Sequence, residues 1–190
     1  MIAIAYAPVA QLDRVPDYES VGCAFESRRA RYLSRMDDSL DERWMRVALQ
    51  EARLAAEEGE VPVGCIIVHG GRIVGRGHNR TEGLKDATAH AEIVALSAAS
   101  GTLGNWRLNG ATVYSTLEPC LMCCGALVLA RPDRVVFGAR DPKFGCLGST
   151  YNVAEENRFN HRLTVTGGVC SDQAACLMKA FFRGRRDRTR

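Results

Sequence analysis

Three cysteines lie within five consecutive positions near the middle of the chain, directly after a proline. The stretch is "LEPCLMCC", residues 117–124, in which Cys120 and Cys123 have the spacing Cys-x-x-Cys. At the start of a helix this spacing places both sulfur atoms on one side of the first turn, where the helix dipole and free N–H groups favour thiolates. The pattern predicts a pair of metal ligands, with a thioredoxin-like redox pair as the alternative.

A second motif, His90-Ala91-Glu92, lies upstream at the start of another predicted helix. One imidazole and two thiolates suit Zn²⁺ and leave its fourth coordination position open, as a catalytic zinc requires. The chain has no second Cys-x-x-Cys and no spaced histidine pair to close the shell, so the pattern favours a catalytic over a structural zinc. An ordinary core histidine is the alternative for His90, but it leaves Glu92 unexplained.

Glu92 follows His90 by two positions, so its side chain points somewhat away from the metal and toward the water that a catalytic zinc activates. Two thiolates largely neutralise the charge of the metal and make it a mild Lewis acid. A carboxylate that accepts the proton of the water and carries it onward is then useful. Together these residues predict hydrolysis of an electron-poor C–N centre.

The remaining cysteines are not expected to bind the metal. Cys124 lies one helical step from Cys123, about 100° around the axis, and should face the protein interior. Four others lie in apolar or irregular surroundings and are predicted to fill the core: Cys65, Cys146, Cys170 and Cys176.

Helices and strands alternate around these motifs. Ser39 and Glu42 form a capping box that predicts a helix ending near Gly59, and two short strands flank the turn at Gly70-Gly71. The expected order continues as a polar loop (80–88), helix (89–100), strand (111–119), helix (120–131), strand (134–139), irregular segment (140–162), strand (163–169) and helix (171–186). This order predicts an α/β protein with three α/β/α layers, in which helices cover both faces of a mixed five-stranded sheet.

Charge and hydropathy limit the class of protein. The net charge is only +3, but the segment "FFRGRRDRTR" concentrates arginines at the C-terminus, as either a solvated helix end or a phosphate-binding patch. No apolar run approaches the roughly 18 residues that a membrane helix requires, and the N-terminus lacks the charges of a signal peptide. We expect a soluble cytoplasmic protein that does not enter a membrane.

The two motifs together resemble the H-x-E…P-C-x-x-C signature of zinc nucleobase deaminases. The likeness extends over about residues 40–187 and includes "EVPVGCIIV", "DATAHAEIVAL", "ATVYSTLEPCLMCCGAL", "RVVFGARDPKFGCLGS" and "NHRLTVTGGV". These segments are similar to the bacterial tRNA-specific adenosine deaminases (the TadA family), within the zinc-dependent cytidine and deoxycytidylate deaminase superfamily. One departure is Phe144 beside Cys146, whose effect on sequence context stays open.

The resemblance implies a cytidine deaminase-like fold and conversion of adenosine to inosine at wobble position 34 of tRNA-Arg(ACG). It implies one Zn²⁺ per subunit on His90, Cys120 and Cys123, with Glu92 as the catalytic proton shuttle, and a homodimer that binds the tRNA anticodon stem-loop. It also implies the following substrate contacts: Asn79 to the flipped base, Ala91 and Val61 in the pocket wall, Glu60 near the ribose, Asp141 and Lys143 beside the target, and Arg185 and Arg186 on phosphates.

Two rival functions share these motifs. A deaminase of a free base or nucleotide, such as guanine, cytosine or deoxycytidylate, would need the same zinc site, although the arginine-rich last helix argues against it. A non-catalytic RNA-binding module with a structural zinc would not need Glu92.

Residues 1–38 show neither the helical nor the strand periodicity of apolar residues. We expect the deaminase domain to occupy residues 39–187. The extension is expected to be disordered or translated from upstream of a true start at Met36. Residues 25–27 can be encoded TTC-GAA-TCN and residues 17–19 GAC-TAC-GAA, which resemble the T loop and anticodon loop of a tRNA gene.

Overall fold

The computed structural model describes residues 39–188, with side chains to Arg186; the extension expected at 1–38 lies outside the described residues. Within these described residues, five α-helices and five strands follow one another. In order they are α1 (Leu40–Glu57), β1 (Gly64–His69), β2 (Arg72–His78), α2 (Thr81–Leu84), α3 (Ala91–Leu103), β3 (Ala111–Leu117), α4 (Leu121–Ala130), β4 (Arg134–Ala139), a 3-10 helix (Val153–Glu155), β5 (Thr164–Gly167) and α5 (Ser171–Arg188).

The strands form one mixed sheet in the order β2-β1-β3-β4-β5, which confirms the predicted fold class. Strand β1 is antiparallel to both β2 and β3, whereas β3, β4 and β5 are mutually parallel. Because β2 and β3 both run opposite to β1, their carboxyl ends reach the same edge of the sheet. The residues that follow these two strands therefore lie close together.

Helices cover both faces of the sheet. Alternate residues of a strand point to opposite faces, so Ile66 and Tyr114 pack with Met45 of α1, whereas Ile67 and Val113 pack with Ala95 of α3. Helix α5 lies beside α1, and α4 lies beside α3. No helix within residues 39–188 is long and apolar enough to cross a membrane.

A glycine in β2 lets α3 approach the sheet closely. A Cβ atom added to Gly77 would lie 2.6 Å from the carbonyl oxygen of Ala91 and 2.6 Å from the backbone nitrogen of Ala95. Both distances are far below van der Waals contact, so a larger residue would displace the first turn of α3. This close packing fixes the height of His90 and Glu92 above the sheet.

The start of α1 is fixed at two levels. The capping box is present, since the Ser39 hydroxyl accepts the N–H of Glu42 and the Glu42 carboxylate accepts the N–H of Ser39. One turn later, Asp41 accepts two hydrogen bonds from the Arg134 guanidinium and one from the Tyr114 hydroxyl. Helix α1 is thereby tied to strands β3 and β4.

Residues 80–88 are not the simple loop predicted from the sequence, because Thr81–Leu84 form one helical turn. The Glu60 carboxylate, from a distant part of the chain, accepts the N–H groups of Glu82 and Gly83 and the hydroxyl of Thr81. The first N–H groups of a helix have no partner within it, so a carboxylate placed there stabilises the turn. Local sequence gives no sign of this long-range cap.

Candidate active site

His90 and Cys120 occupy equivalent places in the fold. Each is an extended residue directly before a helix, with φ −74° and ψ 153° at His90 and φ −75° and ψ 174° at Cys120. Helix α3 follows β2 through a connection that contains α2, and α4 follows β3 directly, so both helices begin at the shared edge of the sheet. The predicted position of each motif at a helix start is confirmed.

The ligand atoms of His90, Cys120 and Cys123 lie within 4.8 Å of one another. The Nδ1 atom of His90 is 3.7 Å from the sulfur of Cys120 and 3.5 Å from that of Cys123. Zinc–sulfur and zinc–nitrogen bonds of about 2.3 and 2.1 Å, at tetrahedral angles, separate N and S ligands by roughly 3.6 Å. The three side chains therefore fit one zinc ion.

Hydrogen bonds within this group favour a thiolate even before a metal binds. The Cys123 thiol and the His90 imidazole both contact the Cys120 sulfur, and together they lower the pKa of Cys120 to about 4. The same contact with Cys120 raises the pKa of His90. A thiolate and a nearby imidazole suit a soft divalent cation.

Glu92 lies beside these ligands but is not one of them within the described group. It is only 3% exposed, and its Oε1 atom accepts the hydroxyl of Ser115 at 3.1 Å while its Oε2 atom is 3.5 Å from the Cys123 sulfur. Burial raises the pKa of this carboxyl above its usual value. A buried carboxyl beside the metal ligands, with its pKa raised in this way, is suited to general acid–base catalysis.

Asn79 follows β2 and supports the first turn of α3. Its side-chain oxygen accepts the N–H of Ala91 at 3.0 Å, and its backbone N–H donates to the carbonyl of Val63. This bond fixes the backbone between His90 and Glu92. Val61, expected in the pocket wall, packs half-buried against the core below.

Glu118 joins the metal-binding segment to the loop at residues 140–149. Its side chain is 2% exposed, and it accepts N–H groups from Asp141 at 3.2 Å, Leu147 at 3.0 Å and Ser149 at 3.0 Å. The Ser149 hydroxyl donates to it as well. Four donors from one loop converge on the residue two positions before Cys120, which holds the loop against the site.

Asp141 and Lys143 lie on this loop. One carboxylate oxygen of Asp141 accepts the N–H groups of Lys143 at 2.9 Å and Phe144 at 3.1 Å, so it shapes the tip of the loop. The Lys143 side chain is exposed, and its amine lies 5.8 Å from the centre of the Phe144 ring.

Glu60, expected near the substrate ribose, is buried and its carboxylate oxygens accept the three α2 donors described above. Contact with a ribose stays a prediction. Arg185 and Arg186 lie exposed near the end of α5, where the Arg185 guanidinium is 4.0 Å from the Glu82 carboxylate and stacks on Phe181. The basic end of α5 therefore lies beside α2.

The other cysteines follow the prediction only in part. Cys124 is fully buried, its thiol donates to the carbonyl of Pro119, and burial raises its pKa. Cys65 and Cys146 are buried in the core, whereas Cys170 and Cys176 are half-buried at the start and middle of α5.

Sequence reasoning missed two residues that act on this site, Ser115 and Glu118. Ser115 carries a fully buried hydroxyl in β3, and a polar residue in a strand predicted to lie in the middle of the sheet was the available signal. Glu118 sits within the quoted cysteine stretch, but its four partners lie 23 to 31 residues later and leave no local trace.

Comparisons with known proteins agree with this geometry. Residues 38–139 match the family model of the cytidine and deoxycytidylate deaminase zinc-binding region. A tRNA-specific adenosine deaminase from Bacillus subtilis (strain 168) is 49% identical over 143 residues, which cover 75% of this chain and 89% of that protein. A relative with the same description from Haemophilus influenzae is 41% identical over 155 residues, covering 81% and 90%.

Among solved structures, one from studies of A-to-I editing by tRNA:A34 deaminases superposes with a TM-score of 0.68 at 43% identity. It covers 70% of this chain and 96% of its own. A guanine deaminase from Nitrosomonas europaea also has the fold, with a TM-score of 0.62 at 26% identity. The family match spans more than half of the chain, and its zinc-binding description agrees with the His90, Cys120 and Cys123 group. The chain is an enzyme of the cytidine and deoxycytidylate deaminase zinc-binding family and belongs, within it, to the tRNA-specific adenosine deaminases.

Proposed function

We propose that this protein hydrolyses adenosine to inosine at wobble position 34 of tRNA, and that its substrate is tRNA-Arg with the anticodon ACG. The observation that carries the proposal is the buried Glu92 carboxyl held beside three zinc-ligand atoms at one edge of the sheet. The similarity to tRNA-specific adenosine deaminases at 49% identity supports tRNA over a free base as the substrate.

His90, Cys120 and Cys123 would hold one zinc ion per subunit, and the catalytic domain would be residues 39–187. When bound, zinc supplies the Lewis acidity that lets water act as a nucleophile at neutral pH. Asn79 fixes the backbone at Ala91, which keeps His90 and Glu92 in register on the first turn of α3.

Glu92 carries the protons of the reaction. It accepts one proton from the attacking water and donates it to N1 of the adenine ring while the water oxygen bonds to C6. It then passes the second water proton to the exocyclic amine, the C6–N bond breaks, and ammonia leaves. The raised pKa of Glu92 suits this exchange, because burial makes the carboxyl a better proton acceptor than an ordinary exposed carboxylate.

The experiment that tests this function compares substrates. The protein is incubated with the anticodon stem-loop of tRNA-Arg carrying ACG, with the anticodon stem-loop of another tRNA, and with free guanine and cytidine. We expect inosine only in the first RNA. Activity confined to the free compounds would instead assign a base or nucleoside deaminase, and zinc binding without any deamination would assign a binding module.

The basic end of α5 supports a role for Arg185 and Arg186 in binding phosphates of the stem-loop. Replacing both by Gln should weaken RNA binding and reduce the salt slope of log K by about 1 for each lost phosphate contact. The double variant Arg72→Gln/Arg107→Gln, which also removes two exposed arginines but at the opposite edge of the sheet, serves as the charge-matched control. Equal salt slopes in both variants would remove the two arginines from the interface.

We also propose that the protein acts as a homodimer, and that it works in the cytoplasm, where its tRNA substrate is found. One face of α4 carries Leu121 and Leu129, which are 63% and 70% exposed, with the exposed Gly125 between them. Leu129→Arg should convert the dimer to a monomer in sedimentation velocity, whereas Leu54→Arg on α1 should not. A wild-type monomer would contradict the dimer, and a membrane-associated fraction after cell lysis would contradict the location.

A further inference from the structure

Phe144 is a large apolar side chain that is 63% exposed at the tip of the loop between β4 and the 3-10 helix. Exposing an aromatic ring to water is unfavourable, so its position calls for a reason. The Lys143 amine lies 5.8 Å from the centre of the ring.

The backbone places Phe144 next to the metal ligands. Gly145 forms an isolated antiparallel bridge with Cys120, and the N–H of Cys146 donates to the carbonyl of Pro119 at 2.9 Å. Paired residues across such a bridge have Cα atoms about 5 Å apart and neighbours along the chain about 3.8 Å. The Phe144 Cα atom therefore lies within about 10 Å of that of Cys120.

The loop holds Phe144 in a fixed position. Asp141 accepts the Phe144 N–H with its side chain and the Gly145 N–H with its carbonyl, and Glu118 anchors the loop on both sides of the tip. A Cβ atom at Gly145 would lie 2.5 Å from the Glu118 carboxyl carbon, so the loop is closely packed underneath. A ring presented by a rigid loop loses little conformational entropy when it binds a partner.

The chemistry of the loop tip matches a nucleotide. A planar aromatic face stacks on any nucleobase, and the adjacent exposed cations Lys143 and Arg140 suit a phosphate. By contrast, the exposed Trp106 beside Arg107 lies before the amino end of β3, at the edge of the sheet opposite the site. Phe144 thus combines exposure, rigidity and proximity to the ligands.

We propose that Phe144 stacks on the nucleobase next to the target adenosine and so determines which sequence context the enzyme prefers. The inference rests on the proposed function, because it requires an RNA substrate with a flanking base. Phe144 acts on substrate binding and not on the chemical step.

A double-mutant cycle tests the stacking directly. Binding is measured in a Glu92→Ala background, which prevents turnover, with stem-loops that are intact or carry an abasic nucleotide on the 5′ or the 3′ side of the target. Phe144→Ala should weaken binding of the intact stem-loop by roughly 5- to 100-fold, as for other base-stacking aromatics. The same substitution should have almost no effect on the stem-loop that lacks the stacked base.

Phe144→Tyr and Phe144→Leu separate stacking from apolar contact, since Tyr keeps the aromatic face and Leu does not. In the active enzyme Phe144→Ala and Phe144→Leu should raise KM with a smaller change in kcat, whereas Phe144→Tyr should behave as the wild type. Thermal unfolding of each variant checks the fold, which an exposed side chain should not disturb.

If the loss of binding free energy caused by Phe144→Ala simply adds to that caused by each abasic nucleotide, on the 5′ and on the 3′ side, the stacking proposal is wrong. Additive effects combined with a changed sedimentation coefficient would instead assign Phe144 to self-association, which also overturns it. A wild-type protein that fails to deaminate the stem-loop would refute the proposed function, and the binding cycle would still decide whether Phe144 contacts a base.

Discussion

Two buried glutamates lie near the metal-ligand group and differ in how many hydrogen-bond donors surround their carboxylates. Glu118 is 2% exposed and receives four hydrogen bonds from the 140–149 loop. Glu92 is 3% exposed and has one hydroxyl donor, Ser115, and a long contact with the Cys123 sulfur. The two carboxylates are therefore equally buried, but the protein offers many more hydrogen-bond donors to Glu118 than to Glu92.

The difference separates a carboxylate that organises the backbone from one that can exchange protons. Hydrogen-bond donors compensate the loss of water around Glu118, so its charge can be buried and used to hold a loop. Glu92 lacks most of that compensation, and its pKa is raised by burial. A group left in this condition is unfavourable for folding but suited to general acid–base catalysis.

The largest expected effect comes from Glu92→Gln. The amide cannot accept and release protons, so kcat should fall by roughly 100- to 10,000-fold. The free energy of unfolding should change by less than about 1 kcal/mol, because an under-solvated carboxyl is replaced by a neutral group of equal shape. Single-turnover inosine formation, zinc content and urea unfolding measure the three quantities. Loss of zinc together with activity would contradict a purely proton-carrying role.

The same substitution at Glu118 should mainly reduce stability, whereas Glu92→Gln mainly reduces kcat. In Glu118→Gln the amide NH₂ group would face N–H donors of the loop, so the free energy of unfolding should fall by about 2–4 kcal/mol. Amide hydrogen exchange at Leu147 and Ser149 should accelerate as the loop loosens. If this variant is as stable as the wild type and keeps its protected amides, the two glutamates do not differ in the way described.

Two serines sharpen the contrast, since each donates a hydroxyl to one of the glutamates. Ser115→Ala should lower kcat by about 10-fold by releasing Glu92 from its fixed orientation, with less than about 1 kcal/mol lost in stability. Ser149→Ala should instead act mainly on stability, by about 1 kcal/mol. Steady-state kinetics and urea unfolding of both variants test whether one serine acts on kcat and the other on stability. If Ser115→Ala has the same kcat as the wild type, this prediction is wrong.

The smallest effect concerns Glu60, another buried carboxylate, which resembles Glu118 in accepting several N–H groups. Burial alone would raise its pKa, but the N–H groups of Gly83 and Glu82 and the Thr81 hydroxyl lower it below the usual value of 4.5. A lowered pKa in the folded state means that the carboxylate stabilises the protein above about pH 4.5 and stops doing so as the pH falls further.

Glu60→Gln should therefore flatten the pH dependence of stability below pH 4.5, with a difference of about 1 kcal/mol at neutral pH. Thermal unfolding between pH 3 and 7 measures this. A steeper acid loss in the variant than in the wild type would show that the α2 donors do not stabilise the charged form.

Much of the fold and the metal group follows from local patterns. The capping box, the hairpin and the Cys-x-x-Cys at the start of α4 are all fixed by residues a few positions apart. The pairing of His90 with the cysteines was predicted from ligand chemistry and supported by the family resemblance, since no local pattern spans the 30 residues between His90 and Cys120.

The remaining features depend on contacts that no local pattern encodes. The helical turn at Thr81–Leu84 forms because Glu60, more than 20 residues away, caps it. The roles of Glu118 and Ser115 likewise require the folded sheet, which brings β3 against α3 and the later loop. Tertiary contact overrides local preference at each of these places.

The two halves of the metal group come from different helix starts, and this has a consequence for folding. A zinc ion bound to both His90 and Cys120 would act as a cross-link that closes a 30-residue segment of chain. Because the unfolded chain offers no preformed set of ligands, affinity for the metal adds to the stability of the folded state through mass action. Removing the zinc with a chelator should therefore lower the melting temperature, because the metal site also cross-links the first and second halves of the chain.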